Sequence, residues 1–128
     1  MVTRELAHHY RAYIACLNAQ NWRALGQFVA DEVEYNDKPV GLAGYRAMLE
    51  NDFQVIPDLT FNIQLLLVDP PHVASRLAFR CSPTGEFLGL QTHGKTLAFS
   101  ENVFYEYREG KIARVWSVID KAAVQAQL

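Results

Sequence analysis

From Pro57-Asp58 to the end the hydrophobic period of this chain changes, and that change constrains the fold more than any other feature. Before it, apolar residues recur at three- and four-residue spacing; after it, they run in strand-like segments separated by turn formers. Over residues 3–19, Leu6, Tyr10, Tyr13, Ile14 and Leu17 form the buried stripe of an amphipathic helix. Residues 18–21 interrupt it. Asn21 is then the predicted cap of a second helix with Trp22, Leu25, Phe28 and Val29 on one face, and so short a join predicts two helices in antiparallel contact. Residues 33–36 read as a short strand ended by the turn 37–41. A third helix over 42–54 turns Leu42, Tyr45, Met48, Leu49 and Phe53 inward. Beyond the switch, 59–68, 72–81, 96–107 and 111–119 all read as strands, and the short joins at 69–71 and 108–110 imply an antiparallel meander. Helices first and a sheet afterwards is the order of an α+β domain in which the helices cover one sheet face. A strongly curved sheet wrapped around helices encloses a cavity, and the six Tyr, seven Phe and two Trp are side chains that line cavities as well as fill cores.

Composition narrows the function. With 128 residues, half of them hydrophobic and a fifth charged, residues 1–128 are expected to form one domain with one core. Twelve basic residues stand against fourteen acidic ones with no Lys/Arg run, so nucleic acid is not expected as a partner. No apolar stretch approaches the roughly 20 residues that span a bilayer, and the first residues have no leader-like composition, so the expectation is a cytoplasmic protein without membrane contact. Cys16 and Cys81 lack metal-type spacing and suit buried free thiols. His8 and His9 are adjacent on a helix and point in different directions, while His72 and His93 are isolated, so no metal site is expected. Neither a nucleophile-elbow motif nor a phosphate-binding glycine loop is present.

The residues that carry chemistry cluster late in the chain. Alternation along the last strand puts Arg114, Trp116, Val118 and Asp120 on one side and Ala113, Val115, Ser117 and Ile119 on the other, with Asp120 at the end of an otherwise apolar strand. Asp120 is a candidate general acid/base beside Trp116, or else a cap for a last helix starting at Lys121. Glu101 is a second candidate carboxylate, or an ordinary partner of Arg76, Arg80 or Arg114 across the sheet. Whether residue 101 or 102 faces inward is open at this stage. Tyr35, Asn36 and Asn102 are donor types able to stabilise an enolate, and with Phe53 and Trp116 they make up the candidate substrate-binding set. The segment 82–90 mixes turn formers with Phe87, Leu88 and Leu90, which suits a lid or an interface.

The order of elements, together with Val33-Glu34-Tyr35-Asn36, Ile56-Pro57-Asp58-Leu59, Thr84-Gly85-Glu86-Phe87-Leu88-Gly89, Gly94-Lys95 and Glu109-Gly110-Lys111-Ile112 leading to Trp116 and Asp120, resembles the SnoaL-like polyketide cyclases. These ester cyclases are a branch of the nuclear transport factor two superfamily, and the resemblance spans nearly the whole chain. It implies an α+β cone, a curved antiparallel sheet around N-terminal helices, with a deep apolar pocket for an apolar carbonyl-containing molecule. It implies an aspartate at the position of Asp120 acting in aldol cyclisation or isomerisation without metal or cofactor, and a homodimer. Where relatives often carry histidines, this chain has Tyr35, Pro83 and Asn102. A non-catalytic ligand-binding or interaction module is the alternative, because a fold does not fix a function.

Overall fold

The computed structural model describes residues 1–128. The first helix, α1 (Thr3–Asn18), buries Leu6, Tyr10, Tyr13, Ile14 and Leu17 along one stripe. Its first turn is secured by Glu5, whose Oε1 accepts from the Val2 N–H at 3.1 Å and so satisfies a donor that the helix cannot pair internally. At the other end Asn18 brackets the backbone of Phe61, accepting from its N–H at 2.8 Å and donating to its carbonyl at 2.9 Å. That bracket ties the helix to the lead-in of the sheet.

The second helix expected from Asn21 is not formed as such. Residues Trp22–Gln27 make a short 3-10 helix, and the chain then enters strand β1 (Val29–Tyr35), four residues earlier than the sequence pattern suggests. The cause is tertiary. Val29, fully buried, is recruited beside Ile112 of the last strand, and this parallel pairing stops the helix before a second turn of α geometry can form. The helix α2 (Gly41–Val55) follows, burying Tyr45 and Leu49.

The remaining strands are β2 (Asn62–Asp69), β3 (His72–Cys81), the two-residue strands β4 (Glu86–Phe87) and β5 (Leu90–Gln91), β6 (Leu97–Arg108) and β7 (Lys111–Ile119), before the closing helix α3 (Lys121–Ala126). The five-stranded sheet has the order β1-β7-β6-β3-β2, in which β2, β3, β6 and β7 form the expected antiparallel meander and β1 adds in parallel. β6 and β7 are joined by Glu109-Gly110 alone, with φ of 53° and 79°. Two positive φ values in a two-residue join match the twist of the flanking strands, and a glycine at the second position adopts one of them freely.

Alternation sorts the sheet into two faces. Leu77 and Phe79 of β3, Phe99, Val103 and Tyr105 of β6, and Val115 of β7 are buried against α1 and α2 on the concave side. On the convex side, Leu67, Ala74, Phe104 and Trp116 lie in one row across four strands, and Leu65, Arg76, Asn102 and Val118 lie in the next. Leu65, Leu67, Phe104 and Val118 are 52, 59, 59 and 70 % exposed. The sheet is curved and unclosed, and the chain is an α+β fold.

Candidate active site

The concave face, α1 and α2 enclose a cavity with two adjoining compartments. The more enclosed one, about 50 Å³, is lined by Tyr13, Tyr35, Tyr45, Asp52, Glu101 and Tyr105 among apolar side chains that include Leu17, Leu77 and Val115. The more open one, about 110 Å³, shares Tyr35, Met48, Asp52, Phe61 and Glu101 and continues to Phe79, Phe87 and Phe99. Two carboxylates therefore stand where the compartments meet. No Lys, Arg or His lines either.

Glu101 faces inward because β6 alternates: Phe99 and Val103, two residues either side, are both buried on the concave side. Its Oε2 accepts a hydrogen bond from the hydroxyl of Ser117, an inward residue of the adjacent strand β7. Burial raises the Glu101 pKa above the usual range, opposed in part by the Ser117 hydrogen bond. Asp52 comes from α2, three, four and seven residues after Leu49, Met48 and Tyr45, so it shares their stripe. Asp52 is exposed to solvent and stands at the open end of the cavity. Burial first, and the nearby charge of Glu101 second, push its pKa up to about 7. Because solvent reaches this mouth, the rise describes proton affinity more than stability. Tyr35 stands close to both, and burial, with the Glu101 and Asp52 charges, raises its phenol so that it stays a neutral donor.

Of the sequence-derived candidates, Tyr35 and Glu101 line this cavity and the others lie elsewhere. Asp120 accepts from the Ala123 N–H at 3.1 Å and caps α3. β7 ends at Ile119, and Asp120 lines neither compartment. Trp116 is on the convex face, its indole N–H donating to Asp37 Oδ1 at 3.0 Å. Asn102 is also convex, accepting from Arg76 at 3.2 Å, which resolves the 101/102 question in favour of Glu101 facing in. Asn36 brackets the backbone of Ser117, accepting from its N–H at 2.9 Å and donating to its carbonyl at 3.3 Å. It thereby positions the strand that carries the Glu101 partner. Phe53 packs behind α2, with its ring centroid 5.9 Å from Trp22 and 6.1 Å from Phe61. Of the arginines weighed as partners for Glu101, Arg76 bonds Gln64 and Asn102, and Arg114 pairs with Glu34 and Glu106.

Asp52 is the lining residue that the sequence reading passed over. Its signal was positional, a lone acid on the inner stripe of an amphipathic helix. The segment 82–95 carries Phe87 to the cavity mouth, 5.5 Å from the ring of Phe99. Fully buried Thr92 holds the segment in shape by donating to the carbonyls of Gly85 at 2.7 Å and Pro83 at 3.2 Å, while the Thr84 N–H and hydroxyl both donate to the Val55 carbonyl. Cys16 and Cys81 are free and buried. No group of three or more His, Cys, Asp or Glu side chains is placed to hold a metal ion, and no helix is long and apolar enough to cross a membrane.

A curved, unclosed sheet over helices, with polar side chains converging on an apolar cavity, is the architecture of the SnoaL-like proteins. The family model for the SnoaL-like polyketide cyclases matches residues 7–128, and the chain belongs to that family. A SnoaL-like polyketide cyclase from Agrobacterium tumefaciens is 46 % identical, with 99 % of this chain and 98 % of that one covered and a TM-score of 0.95. TsrD from Streptomyces laurentii, 19 % identical over 99 % of this chain and 96 % of its own, superposes with a TM-score of 0.85. AclR from Streptomyces galilaeus, 19 % identical over 98 % and 96 %, gives 0.80. At those identities the last two share the fold alone. No curated protein matches the sequence.

Proposed function

We propose that the protein is a cofactor-independent acid–base catalyst acting on an apolar carbonyl compound, by aldol cyclisation or isomerisation. The observation that carries this reading is the pair Asp52 and Glu101, on one apolar cavity with no protein cation to neutralise either. A ligand-binding module has no use for two carboxylates without a cation on one apolar cavity, Glu101 inside it and Asp52 at its mouth. A proton-transfer enzyme needs them.

Glu101, its basicity increased by burial, removes a proton from the carbon next to the substrate carbonyl, and the C–H electron pair moves into an enolate. The phenols of the enclosed compartment, Tyr35 among them, donate hydrogen bonds to the oxygen that becomes negative, and Asp52 in its protonated form is the acid. In cyclisation the enolate carbon attacks a second carbonyl and Asp52 gives its proton to the new alkoxide. In isomerisation Glu101 returns its proton to a different carbon. The Glu101 charge is one of the causes that raise Asp52, so the two carboxyls differ in proton affinity and supply a base and an acid together.

The test is deuterium uptake. Wild-type protein in D2O should catalyse exchange at the α-carbon of a ketone bound in the cavity, and Glu101→Gln should lose that exchange while keeping its fold by circular dichroism. Exchange unaffected by Glu101→Gln overturns the proposal.

The reading extends to assembly and setting. We place the protein in the cytoplasm as one domain over 1–128, in keeping with its two free thiols, and as a homodimer formed through the convex face. The exposed rows around Leu67, Phe104 and Val118 support that face, since apolar side chains gathered across four strands gain from cover.

A further inference from the structure

We infer that this cavity takes a compact, uncharged carbonyl compound of about one ring, its oxygen held by phenol donors in the enclosed compartment, and that it rejects multi-ring and anionic molecules. The chemistry of the ligand rests on the acid–base reading above; its size and charge rest on the cavity itself.

Size comes first. Compartments of about 50 and 110 Å³ adjoin, sharing five lining residues. Together they are close to the roughly 150 Å³ of apolar cavity that accepts one benzene. Sites for drug-sized ligands begin at about 300 Å³. Three or four fused rings exceed the two compartments, and an aromatic wall narrows the open end. Phe79 and Phe99 are stacked at 5.2 Å with their planes 22° apart, and Phe87 packs on Phe99 from the tethered segment 82–95.

Charge narrows the class further. The titratable groups facing the cavity are Asp52 from α2, Glu101 from β6, and the phenols of Tyr13, Tyr35, Tyr45 and Tyr105. With no Lys, Arg or His among them, a carboxylate or phosphate on the ligand enters an apolar space with no counter-charge and two acids nearby.

Donor arithmetic fixes the orientation. A phenol has one proton to donate. Tyr13 and Tyr45 share one hydrogen bond of 2.6 Å, so one of their two protons is free. Tyr10 donates to Tyr105 at 3.2 Å, so the Tyr105 proton is free as well. Burial holds the Tyr13 and Tyr105 phenols far above their usual range, so both stay protonated at any working pH. Two spare donors in the enclosed compartment call for an acceptor on the ligand, and an uncharged carbonyl oxygen supplies one. The carbon beside it then lies toward Glu101, where the compartments meet.

A ladder of probes tests this on the wild-type protein: cyclohexanone and acetophenone with one ring, anthrone with three, and benzoate as the charged counterpart of acetophenone. Ligand-observed NMR reads binding, and the same samples in D2O read α-carbon exchange, in which a C–H bond breaks to the carboxylate and a C–D bond forms from solvent. The one-ring ketones should bind at least tenfold tighter than anthrone and benzoate. Phe99→Ala, which opens the wall, should narrow the gap for anthrone and leave that for benzoate. Equal or tighter binding of anthrone or benzoate overturns the inference, as does failure of both one-ring ketones to bind. Binding of acetophenone without exchange above the buffer rate upholds the ligand class and overturns the acid–base reading instead, which separates the two.

Discussion

The two faces of strand β6 treat a glutamate in opposite ways. On the convex face Glu106 is met by His72 at 3.5 Å, Arg108 at 3.5 Å and Arg114 at 3.7 Å, and Arg114 is shared with Glu34 at 3.3 Å. On the concave face Glu101 has one hydroxyl, from Ser117, and the second carboxylate Asp52 as its nearest ionisable company among the acids. The chain is able to neutralise a strand glutamate and does so on the convex face, where the Glu106 side chain is 21 % exposed and its basic partners reach solvent. It leaves the glutamate without a cation where the surroundings are apolar. Stability does not account for that choice, because exposed pairs contribute about 0–1 kcal/mol and an uncompensated buried charge opposes folding. The proposed proton chemistry accounts for it.

The largest effect that can break this contrast is catalytic. Glu101→Gln should lower α-proton exchange by about 10²–10⁴-fold, the usual worth of a positioned base, whereas Glu106→Gln should leave exchange within about twofold. A comparable loss from both would mean that the two faces are not functionally distinct.

Next is the pH profile. The proposed reaction needs Glu101 ionised and Asp52 protonated, so the rate should rise as Glu101 loses its proton and fall as pH passes about 7, where Asp52 loses its own. Asp52→Asn should abolish the falling limb and leave the rising one. A descending limb that persists near 7 in Asp52→Asn would assign it to another group.

A smaller effect concerns stability. A carboxyl whose folded pKa lies above its unfolded value stabilises the protein below the unfolded pKa, and that contribution is lost as pH rises through the folded pKa. For Asp52 the window runs from 3.8 to about 7. Glu101→Gln should therefore melt about 2–4 °C higher than wild type at pH 8 with no such gain near pH 4, and Asp52→Asn, at the solvent-reached mouth, should gain less at pH 8. A gain equal at both pH values would point to packing.

Much of this arrangement was legible before the structure. The bounds of β3 and β7, the meander and the helices-then-sheet order follow from hydrophobic period and turn chemistry, because those signals are local. β1 was not, since its start at Val29 depends on a parallel partner over eighty residues away. The candidate site divides the same way. Alternation alone put Ser117 on the side opposite Trp116, but it could not say which of those sides was concave, and Trp116 and Asp120 were weighted toward the cavity on residue type. Asp52 was hidden because an acid in a helix ordinarily faces water, and the stripe it shares with Tyr45, Met48 and Leu49 acquires meaning only when β6 is laid beneath it.

The smallest effect isolates Asp120, the carboxylate that the family resemblance favours and the structure places at the start of α3. Its side chain accepts from Ala123 N–H, and asparagine caps a helix about as well as aspartate. Asp120→Asn should therefore change neither exchange nor melting temperature measurably. Asp120→Ala should cost about 1 kcal/mol through the lost cap, again with exchange intact, because α3 seats fully buried Val124 and a frayed first turn loosens that contact. The two variants separate the roles without reference to any substrate model. A general acid/base is silenced by asparagine, and a helix cap is not. Loss of exchange in Asp120→Asn would move the chemistry from the Asp52–Glu101 cavity to the end of β7.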